Sequence, residues 1–288
     1  MSLRNDAVRV LTTADPSAKA ALTAEAAARW RGGAKTIGAA RPPDRPARPE
    51  RPELLRPGEM PKRSSGPKGR IALVHALTHI EFNAIDLAWD IIARFGDEEL
   101  PEAFFDDWVN VAAEEAEHFD LLRGRLEQWG VKYGDLPAHN GLWEAAEITA
   151  DDLVARLAIV PMTLEARGLD TTVQGAAKLR QNEDAQTADI LAVIYSDEIK
   201  HLAVGVRWFE HLCSKRGVDP VATYKQMIDT RFTGKPKPPF NFEARAQAGM
   251  GPEYLQPWID LPGARGFRNG TTPRPVSQKR GPPLPHLM

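Results

Sequence analysis

The feature that most constrains the fold of this chain is a pair of Glu-x-x-His segments. Glu115 and His118 form the first segment, and Glu198 and His201 form the second. Residues three apart on a helix share one face, so each segment presents a carboxylate next to an imidazole if it is helical. The apolar residues around both segments recur every three to four positions, which predicts that both lie on amphipathic helices.

A further glutamate precedes each segment at nearly the same distance. Glu81 lies 34 residues before Glu115, and the midpoint between them is residue 98, within the turn signals of residues 96–101. In an antiparallel helical hairpin, residues equidistant from the turn lie at the same height. This spacing therefore predicts a hairpin in which the two carboxylates are level.

The second half of the chain repeats the arrangement. Glu165 lies 33 residues before Glu198, with the midpoint at residues 181–182. Residues 130–150 are too long for a tight turn and predict a crossover between the two hairpins. Pro161 falls inside a helical pattern one turn before Glu165, so we expect the helix to kink or widen there. No segment alternates as a strand does, and the sequence predicts an all-α fold, a ferritin-like four-helix bundle.

The aligned residues predict a dinuclear metal site, because four carboxylates in a helical core repel one another unless cations lie between them. The predicted ligands are Glu81, Glu115, His118, Glu165, Glu198 and His201. Carboxylates and imidazoles suit iron, with manganese as the alternative. Six ordinary helix-surface residues are the competing interpretation, which the matched spacing of both hairpins disfavours.

Four neighbouring residues receive supporting roles. Asp197 and Glu114 each precede a predicted ligand, and we expect each to accept a hydrogen bond from the outward nitrogen of the other helix's histidine. Tyr195 and Arg167 are the candidate catalytic residues: Tyr195 as a hydrogen-bonding or redox-active phenol, and Arg167 as a group that orients a carboxylate or an anionic substrate. A core tyrosine and a surface ion pair are the plainer interpretations of these two.

Composition changes along the chain indicate three regions. Residues 1–69 contain an Ala-rich helix and a Pro/Arg-rich arm, residues 70–232 form the predicted bundle, and residues 233–288 form a loop-rich extension. The prolines of residues 41–70 fit a disordered linker or an extended arm on the surface, and we favour the arm. Residues 262–288 are basic and predict a flexible tail.

The chain as a whole points to a cytoplasmic protein. It is 42% hydrophobic with a formal net charge of −2, so a sizeable core is available, and the total charge argues neither for nor against a charged partner. Its single cysteine, Cys213, excludes an internal disulfide. No apolar run approaches the roughly 18 residues of a membrane span, and the N-terminal stretch is unlike a signal peptide.

Several segments together resemble the ferritin-like domain-of-unknown-function family 455, over about residues 60–250. They are His75–Glu81, Glu115–His118, Met162–Asp170, Asp197–His201 and Pro239–Gly249. The resemblance implies a ferritin-like four-helix bundle with a dinuclear centre. The Leu-Glu-Ala-Arg segment at residues 164–167 is also similar to the bacterial tRNA-modifying di-iron hydroxylase, which implies shared ancestry of the site and not the same substrate.

The function predicted from these observations is that of a di-iron oxidoreductase that activates O₂ to hydroxylate or oxidise an organic substrate. Its partners are then a small molecule or a modified nucleoside as substrate, and an electron-donor protein. Ferroxidation, peroxide removal or other iron handling is the first alternative. The second is an RNA-interacting module with a structural metal site, because the arm and tail are basic.

Overall fold

The computed structural model describes residues 2–61, 66–256 and 258–260, and every regular element in these ranges is helical. The helices are α1 (Leu3–Leu11), α2 (Pro16–Arg31), α3 (Pro67–Phe95), α4 (Glu102–Gln128), α5 (Gly141–Glu147), α6 (Leu153–Ile159), a π-helical segment (Val160–Glu165), α7 (Ala166–Gln181), α8 (Ala185–Arg216), α9 (Pro220–Arg231) and α10 (Phe242–Gln247). The predicted all-α class is confirmed. The predicted basic tail of residues 262–288 lies outside the described residues.

Local chemistry fixes the helix ends. The Asp15 carboxylate accepts a hydrogen bond from the Ala18 amide, and Pro16 occupies the first position of α2, where its missing amide proton is not needed. Helix α8 ends at Gly217, whose φ of 67° is a left-handed conformation that glycine adopts without strain. Within the described ranges, none of these helices combines the length and apolar character needed to cross a membrane.

The long helices pack as two consecutive pairs. Helix α3 lies along α4, α7 lies along α8, and α4 also packs against α8. The core has a large and a small apolar cluster. On α3, Val74 of the small cluster precedes Ile85 of the large one, whereas on α4 Ala112 of the large cluster precedes Leu122 of the small one. Helices α3 and α4 are therefore antiparallel, and Glu81 and Glu115 lie where the clusters meet.

The N-terminal helices share this core. Helix α1 packs on α3 and α2 packs on α4. Arg4 is buried and donates to the Ala93 carbonyl at 2.9 Å, and the buried Trp30 indole donates to Asp106 at 2.7 Å. Helices α1 and α2 therefore belong to the same folded unit as the long helices.

The proline-rich stretch lies on the surface as an extended arm. The Ala47 amide donates to the Leu11 carbonyl at 2.7 Å, and the Leu55 amide donates to the Ala138 carbonyl at 2.8 Å. Arg48 reaches inward to pair with the buried Asp86 at 2.8 Å. Of the two interpretations drawn from the sequence, the surface arm is the one observed over the described part of this stretch.

Two histidines of α3 attach residues 133–139, between α4 and α5, to the long helices. The Gly134 amide donates to His75 Nε2 at 2.9 Å. His79 Nε2 lies 3.1 Å from the His139 carbonyl, which only accepts, so Nε2 carries the proton and Nδ1 accepts from the Tyr133 hydroxyl at 2.8 Å. His79 thus bonds both ends of residues 133–139 as a neutral imidazole.

We expect these bonds to make stability fall in mild acid. Burial, assisted by the charge of Arg48, lowers the pKa of His79 from 6.5 to about 3. Between pH 6.5 and about 3, the unfolded chain therefore takes up a proton that the folded protein does not. The free energy of unfolding decreases by about 2 kcal/mol between pH 7 and pH 5.

The variant His79→Gln tests this expectation. Urea unfolding at pH 7 should show it less stable than the wild type, by about 1–3 kcal/mol, because buried hydrogen bonds are lost. At pH 5 this difference should be smaller by about 2 kcal/mol. A difference that does not change with pH would contradict the neutral state assigned to His79.

Candidate metal centre

The six predicted ligands lie on four different helical segments and converge at the junction of the two apolar clusters. Glu81 is on α3, Glu115 and His118 are on α4, Glu165 ends the π-helical segment, and Glu198 and His201 are on α8. Four side chains are almost fully buried, at 1–4% exposed: Glu81, Glu115, His118 and His201. The Glu198 side chain is 13% exposed, and Glu165 is half-buried.

One half of the cluster surrounds His118. Its Nδ1 lies 3.4 Å from Glu115 Oε2 and 3.9 Å from Glu81 Oε2. One donor atom from each of Glu81, Glu115, His118 and Glu198 lies within 4.8 Å of the other three. These four side chains can hold a single metal ion.

The other half surrounds His201, whose Nδ1 lies 2.9 Å from Glu115 Oε1 and 3.8 Å from Glu198 Oε2. Glu115 therefore directs one oxygen to each imidazole. Glu115 can therefore serve as a ligand on either side of the cluster. Glu165 lies close enough to Glu115, Glu198 and His201 for their charges to affect its own ionisation.

The outward nitrogens of both histidines have carboxylate partners. His118 Nε2 lies 3.2 Å from Asp197 Oδ2, and His201 Nε2 lies 2.7 Å from Glu114 Oε2. A carboxylate in this position favours a proton on Nε2, which leaves the Nδ1 lone pair directed into the cluster. The structure thus contains both hydrogen bonds expected from the sequence.

The cluster is electrostatically strained without cations. Burial, together with the charge of neighbouring glutamates, raises the pKa of Glu81 and of Glu165 well above the ordinary value. Burial and the nearby Glu115 raise the pKa of Glu198 to about 7. Burial also acts to raise the pKa of Glu115, but the adjacent His201 and His118 hold it below its usual range.

Among the residues that the structure describes, three buried polar atoms at the centre have no partner in hydrogen-bonding geometry: Glu81 Oε2, Glu115 Oε1 and His201 Nδ1. Such atoms destabilise a folded protein unless another group satisfies them. All three are acceptor or lone-pair positions that metal ions bind. The oxygen-rich set with two imidazoles fits iron or manganese better than metals that prefer thiolates.

The helix widens next to Glu165, as Pro161 predicted. Residues 160–165 are π-helical, and the Ala166 amide bonds the Pro161 carbonyl, five residues earlier. Thr163 donates its hydroxyl to the Ala158 carbonyl at 2.7 Å. Gly205 of α8 accommodates this bulge, because a Cβ there would lie 2.8 Å from the Pro161 ring. The widened turn changes the angle at which Glu165 leaves the backbone.

Tyr195 and Arg167 lie in a different environment from that expected of catalytic residues. The Tyr195 hydroxyl accepts from the Asn241 side chain at 2.9 Å, and Arg167 donates to the Lys237 and Pro239 carbonyls at 2.7 and 2.9 Å. Both side chains therefore hold the C-terminal extension against α7 and α8. Their catalytic roles stay predictions.

The strongest anchor of this extension was not identified from the sequence. Arg245 on α10 makes two hydrogen bonds to Asp170 on α7, at 2.9 and 2.8 Å, and both side chains are buried. The partners are 75 residues apart and belong to no periodic pattern, so the sequence alone gives no signal for the pair. The extension, expected to be loop-rich, contains the short helix α10 because this pair positions it.

These observations define a class: an all-helical protein with a buried carboxylate–imidazole cluster between antiparallel helices. The chain belongs to the family described as "Protein of unknown function (DUF455)", whose model matches residues 12–256. It is similar to a protein of Haemophilus influenzae described as "Uncharacterized protein". The two are 43% identical over 217 residues, which cover 73% of this chain and 75% of the relative. No solved structure matches the chain.

Proposed function

We propose that the protein is a ferritin-like four-helix bundle that binds two metal ions, and that these ions are iron. Three helices of the bundle are α3, α4 and α8, and the fourth consists of α6, the π-helical segment and α7. The observation that carries the proposal is the position of Glu115 between two inward-directed imidazoles, with an oxygen 2.9 Å from His201 Nδ1 and another 3.4 Å from His118 Nδ1. The same pairing of carboxylates with Glu-x-x-His segments defines di-iron carboxylate bundles.

The chemistry that we assign is oxidation of an organic substrate with O₂. Two ferrous ions would supply the electrons that O₂ activation requires. The protein's own contribution is to hold the ligands rigidly, through Asp197 and Glu114, and to keep water away with the apolar clusters on either side.

The case for RNA binding through the arm is weaker than the case for oxidation of an organic substrate. Two of the arm's arginines are already paired within the protein, Arg48 with Asp86 at 2.8 Å and Arg45 with Glu147 at 2.7 Å. Their charge is therefore partly neutralised before any phosphate could bind. Iron handling remains the main competitor, because the same six ligands serve ferroxidation.

Metal analysis and anomalous diffraction on protein purified from iron-replete cells test the dinuclear assignment. We expect two iron ions per chain, both between the six side chains. Fewer than two metal positions at full occupancy would overturn the assignment. Manganese in both positions would retain the dinuclear site and reassign its metal.

A second measurement separates oxidation of a substrate from iron handling. The metal-loaded protein is given excess Fe(II) and O₂ without an organic substrate, and ferric product is followed by its absorbance. We expect no more oxidation than the bound ions account for. Sustained turnover to a ferric mineral would instead support the iron-handling function.

A further inference from the structure

The six ligands do not divide into two equivalent halves. Within the part of the chain that the structure describes, the group of donor atoms that all lie within 4.8 Å of one another comprises Glu81, Glu115, His118 and Glu198, and it does not include Glu165. The half around His118 therefore has four ligands in place. The half around His201 has Glu115 and Glu198 close by, and its fourth ligand, Glu165, lies further away.

The distances in the His118 half suit an ion without rearrangement. Donor atoms bound at about 2.1 Å lie about 3 Å apart when adjacent and about 4.2 Å apart when opposite. His118 Nδ1 is 3.4 Å from Glu115 Oε2 and 3.9 Å from Glu81 Oε2, between these limits. Both carboxylates and the imidazole are almost fully buried, so their positions are held by packing.

Glu165 differs from the other ligands in its surroundings. It ends the π-helical segment, where the backbone bonds run to the fifth residue before and not the fourth. Its side chain is half-buried, whereas Glu81, Glu115, His118 and His201 are buried. Because Glu165 is outside the group of mutually close donor atoms, its carboxylate has to move closer to them to complete a second position.

We propose that the two metal positions fill in a fixed order. The position formed by Glu81, Glu115, His118 and Glu198 binds first and tightly. The position beside His201 and Glu165 binds second, at least about tenfold more weakly, because Glu165 must move to complete it. This order rests on the proposed dinuclear function and adds that the second position, at the solvent-facing edge, is the exchangeable one.

Titration of the metal-free protein with Mn(II), followed by electron paramagnetic resonance, tests the order. In the wild type we expect one tightly bound ion and a second ion bound at least about tenfold more weakly. Glu165→Gln should keep the first ion within about twofold of the wild-type affinity and weaken the second at least about tenfold further. Glu81→Gln should instead lose the tightly bound ion.

Glu117→Gln is the matched control, because Glu117 is exposed on the same helix as Glu115 and should leave both affinities unchanged. Circular dichroism and thermal unfolding establish that each variant is folded, and Glu165→Asp replaces Glu165→Gln if the latter is not. Two equal affinities in the wild type, or loss of the tight ion in a folded Glu165 variant, would overturn the order. Failure of the wild type to bind any Mn(II) or Fe(II) would instead overturn the proposed function.

Discussion

Replacing Glu115 with alanine is expected to weaken both metal ions at once, by at least about 100-fold each. Its two oxygens face different imidazoles, at 2.9 Å from His201 Nδ1 and 3.4 Å from His118 Nδ1. Removing a group that only supports a ligand weakens metal binding by about 10–100-fold, so loss of a shared ligand should exceed that range. Equilibrium dialysis against Fe(II) under anaerobic conditions, followed by metal analysis, gives the affinities.

The control variant is Glu117→Ala, two residues further along α4 and exposed. It should bind two ions as the wild type does. The helical circular dichroism of both variants should match the wild type, because the Glu115 carboxylate lies at the junction of the two apolar clusters and belongs to neither. A Glu115→Ala protein that keeps one ion at wild-type affinity would show that this carboxylate serves only one position.

The sequence predicts the carboxylate–imidazole cluster well because most of its members lie on long helices. Helical periodicity fixes which face a residue occupies, and the distance to the turn fixes its height. Those two quantities place Glu81 beside Glu115 without any knowledge of side-chain conformation, and the structure brings them together. The partners of the outward histidine nitrogens follow from the same two quantities.

Where the helix departs from regular geometry, the sequence places a residue less accurately. Height and face are calculated for an ideal α-helix, but residues 160–165 are π-helical, so the placement of Glu165 level with Glu198 is only approximate. The roles expected of Tyr195 and Arg167 assumed a free site edge. Contacts with residues 237–241 decide their environment, and the folding back of that extension has no periodic signature.

Replacing Asp86 with alanine is expected to cost about 3–5 kcal/mol of stability, because it leaves a buried lysine without its partner. Lys19 on α2 and Asp86 on α3 form an ion pair in which neither side chain is exposed. Arg48 of the arm completes the cluster at 2.8 Å. Burial lowers the pKa of Lys19 and the charge of Asp86 opposes this effect, so the lysine depends on that carboxylate to remain charged in the core.

Urea unfolding of three variants distinguishes a buried anchor from an ordinary ion pair. Asp189→Ala breaks the exposed pair with Arg180 and should cost no more than about 1 kcal/mol. The double variant Lys19→Met, Asp86→Leu removes both buried charges and should recover most of the stability lost in Asp86→Ala. If Asp86→Ala costs no more than Asp189→Ala, the pair does not anchor α2. If Asp86→Ala instead loses about 3–5 kcal/mol of stability and unfolds in a single transition, then α2, the arm and α3 fold as one unit, since all three contribute a side chain to this cluster.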